Sequence, residues 1–380
     1  MRIKYRNNRF VCSLGLMISV LFFSCSTEDL MDQKERENET VEVEFRLGVE
    51  ENNQVIGRSM NQTETKNDLQ LRFSTGNPVD TRAADREDHI ENVWILQFEN
   101  TENPTDKLLA KVYVENLTQT TINGKTIYQL KANLEKKENC RLFFIANESA
   151  AAFSSLTVGS STFSAFQTLT RVFSTNPVIG PATETFPMTA YYKGAIPILD
   201  PNVTLWMYRV AAKLSLTVLF DELQESSSLF LNFAQLQSVP QTVQYYDEGR
   251  YTDEPWIFPI VTSSFVNYPA QEFNIVSGTV LTWYMPENRR GINPLITNQK
   301  DKYDETDPSG PGSTSYATRI VLKGIYILSG KVHDITITLY PGENITSDFN
   351  IIRHTHYIMT ADIRTISDED NRIVYKRVNQ

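Results

Sequence analysis

From Trp206 to Phe220 every second residue is apolar: Trp206, Tyr208, Val210, Ala212, Leu214, Leu216, Val218 and Phe220, with Arg209, Lys213, Ser215 and Thr217 between them. A repeat of two sustained over this length suits an extended strand with one dry and one wet face, and it does not suit a helix, whose repeat is 3.6. The same repeat opens the globular sequence, where Val41, Val43, Phe45, Leu47 and Val49 share one side and Glu42, Glu44 and Arg46 the other. It returns near the end, where Ile335, Ile337 and Leu339 alternate with Asp334, Thr336 and Thr338.

Other strands fit between these. Val93-Trp94-Ile95-Leu96-Gln97-Phe98 reads as a strand buried on both faces. Asn123-Gly124 is a hairpin turn signal between strands expected at 110–117 and 125–134, and Leu229, Leu231 and Phe233 continue the alternation. Further strands are expected at 141–146, 274–285, 318–328, 332–340 and 356–364. One helix is expected, of about three turns, from Phe163, Phe166, Leu169 and Val172 spaced by threes. Residues 50–89 read as a long exposed connection, and 291–315, with three Gly and three Pro, as a loop.

Many short strands with scant helix predict an all-β chain of two antiparallel β-sandwich domains. At 380 residues there is length for two cores. The boundaries expected are 1–24 for a removed signal peptide, 25–40 for an acidic tether, 41–202 for the N-terminal sandwich and 203–380 for the C-terminal one.

The first 24 residues differ in kind from the rest. Arg2, Lys4, Arg6 and Arg9 precede the apolar run Val11–Phe23, and no acid appears before Glu28, as in an export signal. The run falls short of the roughly 20 residues a spanning helix needs. Leu21-Phe22-Phe23-Ser24-Cys25 is similar to a bacterial lipoprotein box, which makes Cys25 the lipid-bearing N-terminus; in an ordinary secretory signal Cys25 would merely lie near the cut. Several acyl chains hold a protein firmly, since each buried methylene contributes about 0.8 kcal/mol. Ser26-Thr27-Glu28-Asp29 then looks like the acidic tag of surface-exposed Bacteroidetes lipoproteins, or is a plain acidic linker.

Loss of 1–24 removes four basic groups and no acid, leaving 32 bases against 46 acids, a net of −14. So acidic a chain lacks the basic patch that nucleic acid requires. No phosphate-cradling loop, nucleophile elbow or H-E-x-x-H motif is present, and neither an enzyme nor a cofactor is expected. His354 and His356 share a face of a predicted strand and are a weak metal pair without an evident third ligand. Asp301, Asp304, Glu305 and Asp307 miss the spacing of a calcium loop. Cys140, ahead of Leu142-Phe143-Phe144-Ile145-Ala146, reads as a buried small hydrophobe. Tyr245, Tyr246, Tyr251 and Trp256 lie among carboxylates, a mixture that suits sugar stacking as well as a loop packed on its own sandwich.

The motif order carries more information. Ile90-Glu91-Asn92 leading into Val93–Phe98, then Leu142–Asn147, Phe186-Pro187-Met188-Thr189 and Tyr208-Arg209-Val210-Ala211-Ala212-Lys213-Leu214 resemble fimbrillins and fimbrium accessory proteins of Bacteroidales. Trp283-Tyr284-Met285-Pro286-Glu287-Asn288-Arg289-Arg290-Gly291, Tyr340-Pro341-Gly342-Glu343-Asn344 and Asp348-Phe349-Asn350-Ile351 resemble a related group of the same superfamily. The resemblance spans roughly residues 40–373.

It implies transthyretin-like sandwiches and a role in type V pili, whose subunits join by donor-strand exchange. In that scheme an exported lipoprotein precursor is cut after an arginine, its first strand leaves, and a neighbour's strand fills the groove. Carried to this sequence, Val41, Val43, Phe45, Leu47 and Val49 mark the removable strand, Arg82, then Arg58 and Arg86, the candidate cleavage sites, and Arg372, Ile373, Val374 and Tyr375 a candidate donor tail. Expected partners are other pilus subunits, the outer membrane through acylated Cys25, and a host or bacterial surface ligand. An anchor would keep its first strand, whereas a stalk or tip subunit would lose it, and the second-half motifs resemble the accessory group more than the major stalk proteins. The alternative is a glycan-binding surface lipoprotein of a polysaccharide-uptake system.

Overall fold

A computed structural model describes residues 39–51, 53–55, 69–73, 87–173, 185–198, 203–246, 265–302, 316–367 and 369–377. The fold below is that of the unit Thr40–Gln380. The first half contains β1 (Thr40–Val49), β2 (Asn53–Val55), β3 (Gln70–Phe73), β4 (Val93–Glu99), β5 (Leu108–Val114), β6 (Thr118–Ile122), β7 (Lys125–Glu135), β8 (Lys137–Ala146), the helix α1 (Phe163–Gln167), β9 (Thr170–Val172), β10 (Met188–Ile196) and β11 (Thr204–Arg209). The hairpin β6–β7 turns at Asn123 and Gly124, both at positive φ (52° and 79°), the conformation a two-residue hairpin loop demands.

Eight of these strands form one ladder in the order β5-β4-β8-β10-β11-β1-β7-β6. The ladder is thin at one place, where only Met188 and Thr189 of β10 pair with β11. Phe45 of β1 and Phe144 of β8 are three steps apart in that order, about 14 Å in a flat sheet. Their ring centroids are nevertheless 5.0 Å apart, edge to face. The ladder is therefore folded over at β10–β11 into two layers, and Val43, Phe45, Leu47, Ile95, Leu130, Leu142 and Phe144 fill the space between them. The outer faces of β4 and β8 are covered too. Trp94, Phe98 and Phe143 pack under Phe153, Phe163, Phe166 and Tyr245, which explains the unbroken apolar run in β4.

The second half adds β12 (Ala211–Leu219), β13 (Ser227–Gln237), β14 (Val239–Pro240), β15 (Thr242–Gln244), β16 (Phe265–Val266), β17 (Thr279–Pro286), β18 (Arg319–Leu328), β19 (Lys331–Leu339), β20 (Thr355–Asp362) and β21 (Ile373–Arg377). One sheet runs β17-β12-β20 and carries β2 and β3 on the far edge of β20; the other runs β13-β18-β19-β21. Leu214, Leu216, Trp283, Tyr357 and Met359 from the first meet Leu231, Leu322 and Ile337 from the second in a separate core. The fold is thus all-β and of sandwich type. Antiparallel pairs dominate, with parallel exceptions at β1–β11, β12–β20 and β2–β20.

Three expectations change. The alternation over 206–220 is two strands, not one, broken at Val210. In β11 Met207 and Arg209 are buried while Trp206 and Tyr208 are half-buried, the reverse of the expected faces; in β12 Leu214, Leu216 and Val218 are buried as expected. The reason is topological, because β11 ends the first ladder and β12 begins the second sheet, so the two halves answer to different cores.

The helix is shorter than its spacing suggests. Thr162 caps it, its hydroxyl accepting from the Ala165 N–H at 3.3 Å, but Thr170–Val172 leaves the helix to pair with β15. Finally, the connection 50–89 is not wholly exposed. Asn53–Val55 pairs parallel with Thr355–Tyr357, Gln70–Phe73 pairs antiparallel with Met359–Asp362, and Leu69 and Leu71 are buried in the second core.

Candidate functional site

The five apolar residues of β1 divide into a buried centre and half-buried ends. Val43, Phe45 and Leu47 are buried, whereas Val41 and Val49 are partly covered against the same core. Burying three side chains of this size stabilises by about 1.5–3 kcal/mol each. Along one side β1 pairs antiparallel with β7, from Thr40 opposite Glu135 to Gly48 opposite Ile127. Along the other it pairs parallel with β11 only from Arg46 to Val49. Its second half is enclosed on both sides, and its first half has one strand partner among the described residues. Gly48 lies against the Trp206 ring, where a Cβ would fall 2.7 Å from Cε3 and closer still to Cζ3.

Beyond Val49 the chain crosses from the first sandwich to the second, and a buried polar cluster holds the crossing. The Glu50 N–H donates to the Met207 carbonyl at 3.0 Å. Arg209, buried at the end of β11, donates through Nη1 to the Glu50 carbonyl at 3.2 Å and through Nε to the Glu87 carbonyl at 3.1 Å, and it pairs with Asp88. Its backbone N–H donates to His354 Nδ1 at 3.2 Å, so the proton of the neutral ring lies on Nε2, which donates to the Glu51 carbonyl at 2.8 Å. His354 itself has a φ of +59° and stacks edge to face on Tyr208, centroids 4.9 Å apart. Burial lowers the Arg209 pKa to about 10.

Next to this cluster Glu87 accepts from Lys213 Nζ at 2.8 Å and from the Tyr284 hydroxyl, while His356 Nε2 meets Ser215 Oγ at 2.9 Å. The two histidines expected to share a face are thus occupied separately, one by the crossing backbone and one by β12. Among the described residues no group of three His, Cys, Asp or Glu is arranged to hold a metal.

The remaining sequence candidates fall as follows. Cys25, Arg58, Arg82, Arg86, Tyr251, Trp256, Asp304, Glu305 and Asp307 lie outside the described residues. Asp301 ends a 3₁₀ turn and accepts from Asn371 at 3.4 Å. Tyr245 is buried against Phe153, which takes its ring out of reach of a sugar, and the half-buried Tyr246 packs edge to face on Phe143 and Phe163. Cys140 is buried, its Sγ 3.4 Å from the Gly194 carbonyl, and burial pushes the thiol pKa up. Arg372 is buried, donating to Asp370, to Gln299 Oε1 at 3.0 Å and to the Leu69 carbonyl at 2.6 Å; that same Gln299 oxygen accepts from the Leu71 N–H at 2.8 Å. Ile373, Val374 and Tyr375 belong to β21, paired antiparallel with β19 at the outer edge of its sheet.

Arg209 and His354 were not legible as one site. Arg209 looks like a wet-face residue in the alternation, and only the register reversal at Val210 turns it inward.

Residues 283–361 match a family described as a domain of unknown function, DUF4906. A solved structure of a candidate cell adhesion protein from Parabacteroides distasonis is similar to this chain at a TM-score of 0.51 and 14% identity, covering 89% of this chain and 96% of that one. A second candidate cell adhesion protein from the same organism gives 0.50 at 10% identity, covering 89% and 98%. The chain has the fold of these adhesion proteins. The tip fimbrial protein Mfa3 of Porphyromonas gingivalis, solved with a C-terminal truncation, is 17% identical with a TM-score of 0.47, covering 90% of this chain and 99% of that one. No curated protein sequence matches.

Proposed function

We propose that this chain is a cell-surface fimbrial subunit of the type V kind, exported as a lipoprotein acylated on Cys25 and joined to neighbouring subunits by β-strand donation. The observation that carries the reading is β1. It is the first strand of the globular unit, it puts Val43, Phe45 and Leu47 into the first core, and it is joined to β4 through the segment that holds Arg58, Arg82 and Arg86. Removing it would leave unpaired backbone groups along β7 and β11 and three empty apolar sites, which a donated strand satisfies together.

The position of the cut sets what is lost. Cleavage after Arg58 would release β1 and β2, whereas cleavage after Arg82 would release β3 and with it Leu69 and Leu71. The tail Arg372–Tyr375, to act as a donor, would first have to leave β19. With this reading we take the two sandwiches, expected at 41–202 and 203–380, to divide at Val210 instead, so that β11 goes with the first and β2 and β3 cross to the second. The second-half motifs favour an accessory role, as anchor or tip, over a major stalk role.

The test is the N-terminus of the protein recovered from outer membranes and from sheared fimbriae, read by mass spectrometry with an acyl label. Acylated Cys25 in both fractions makes the chain an uncut anchor. A new terminus after Arg82 or Arg58 in fimbriae makes it a polymerising tip or stalk subunit, and absence from fimbriae overturns the reading.

A further inference from the structure

The strand slot does not end at Val49. Two successive carbonyls, of Glu50 and Glu51, are each taken by a buried side-chain donor, Arg209 Nη1 and His354 Nε2. Neither glutamate side chain is buried, and that of Glu51 lies at the surface against Lys125. What is held at the crossing is backbone.

The two donors do not depend on β1 for their placement. Arg209 is held by the Glu87 carbonyl and by Asp88, on the far side of the connection. His354 is held by the Arg209 N–H on its ring and by the Ala211 carbonyl on its own N–H, at 2.8 Å. Its left-handed backbone is a costly conformation for a histidine, and it aims the ring across the joint. If residues 50 and 51 departed, the bonds their two carbonyls accept would be lost, and a new extended segment with two consecutive carbonyls at that place would restore them.

We propose that Arg209 and His354 form a backbone clamp that fixes where an extended peptide crosses from the first sandwich to the second, whether that peptide is this chain's own first strand or a donated one. The ligand class is an extended segment that offers one N–H to Met207 and two consecutive carbonyls at the crossing, with a residue other than proline at the first position. Side chains there are free to vary. The clamp therefore selects register, and this inference rests on the strand-donation reading.

The test uses the mature full-length chain with a specific protease site introduced between residues 59 and 66. After cutting, the protein is offered labelled synthetic peptides of residues 40–49 or 40–51. Wild-type protein should take up the longer peptide about tenfold more tightly or better, the effect expected of three added bonds, one to the Met207 carbonyl and two from the clamp, of which one has a charged donor. A 40–51 peptide with thioamides at Glu50 and Glu51, whose sulfurs are poorer acceptors than carbonyl oxygens, should lose most of that advantage, whereas Glu50→Pro should remove only the share due to the Met207 bond. In His354→Phe the advantage of the longer peptide should fall below about threefold while affinity for 40–49 is unchanged, the separation that a merely structural role would not produce.

Equal binding of the two lengths by wild-type protein, or an equal fall for both in His354→Phe, overturns the clamp and leaves strand donation standing. A thioamide peptide, altered only in the acceptors that the clamp uses, gives the same decision should the variant fail to fold. If neither peptide enters the cut protein, the strand-donation reading fails and the clamp with it.

Discussion

The segment 40–73 supplies strands to both sandwiches, and the two seats are built differently. In the first, β1 is an interior strand that lies between β7 and β11 and carries Val43, Phe45 and Leu47 into the centre of the core. In the second, β2 and β3 follow one another along a single edge of β20, and among their described side chains only Leu71, with Leu69 just before it, reaches the core. Vacating the first seat opens the interior of a sandwich; vacating the second uncovers an edge. Under the proposed strand donation this asymmetry matters, because an emptied interior slot leaves both backbone groups and apolar sites to be filled.

Truncating the central side chain of each seat gives the largest effect and the most direct way to break the contrast. Phe45→Ala removes a ring that packs edge to face on Phe144 and should cost about 3–5 kcal/mol, with Leu71→Ala nearer 2 kcal/mol because an edge can relax into the gap. Urea unfolding of both variants decides it, and equal losses would mean that the seats are equivalent.

Arg372→Met should come next, at about 3 kcal/mol, since it leaves the buried Asp370 without its cation and strips a donor from the Leu69 carbonyl. Hydrogen exchange localises the loss. The Leu71 amide, whose acceptor Gln299 also binds Arg372, should lose protection while the Leu47 amide keeps it.

The first seat was readable in the sequence and the second was not. Five alternating apolar residues from Val41 to Val49 suffice to place a strand and its dry face, as do Ile335, Ile337 and Leu339 for β19. Asn53–Val55 and Gln70–Phe73 are too short to show a period, and their partner β20 lies nearly 300 residues away, so nothing local announces them. The crossing cluster was hidden for a related reason. Arg209 follows Tyr208 in a clean alternation, and the change of core at Val210 that buries it is a property of topology, not of pattern. Tertiary pairing likewise ended α1 early, drawing Thr170–Val172 onto β15.

Acidity should separate the two seats. His356 lies in β20 opposite Gln54 of β2; burial first, and nearby Lys213 second, lower its pKa to about 4. The unfolded chain, with an ordinary histidine near 6.5, then takes up a proton before the folded one does. The stability from the neutral ring is complete above about pH 6.5 and is lost as pH falls towards 4, by about 3 kcal/mol in total. His356→Phe should flatten that slope in denaturant titrations run between pH 4 and 7. The loosening in wild-type protein should appear at β2 and β20 before β1.

The smallest effect belongs to Gly48. This residue lets β1 approach β11 where the Trp206 ring lies across the strand, beneath Lys125 Nζ at 4.9 Å from the ring centroid. A methyl group in Gly48→Ala would overlap that ring, yet Trp206 is only half-buried and can swing outward, so the expected cost is about 1–2 kcal/mol rather than collapse. Swinging the ring would also part it from Lys125, at an exposed-site cost of about 0.5–1 kcal/mol within that total. The change lies wholly on the first seat, so exchange at Leu47 should quicken while Leu71 is unaffected, the mirror image of Arg372→Met. Tryptophan fluorescence should shift to the red as Trp206 meets water. A variant that instead loosened both seats equally would show that β1 and β3 leave together, and the distinction between interior slot and edge would no longer hold.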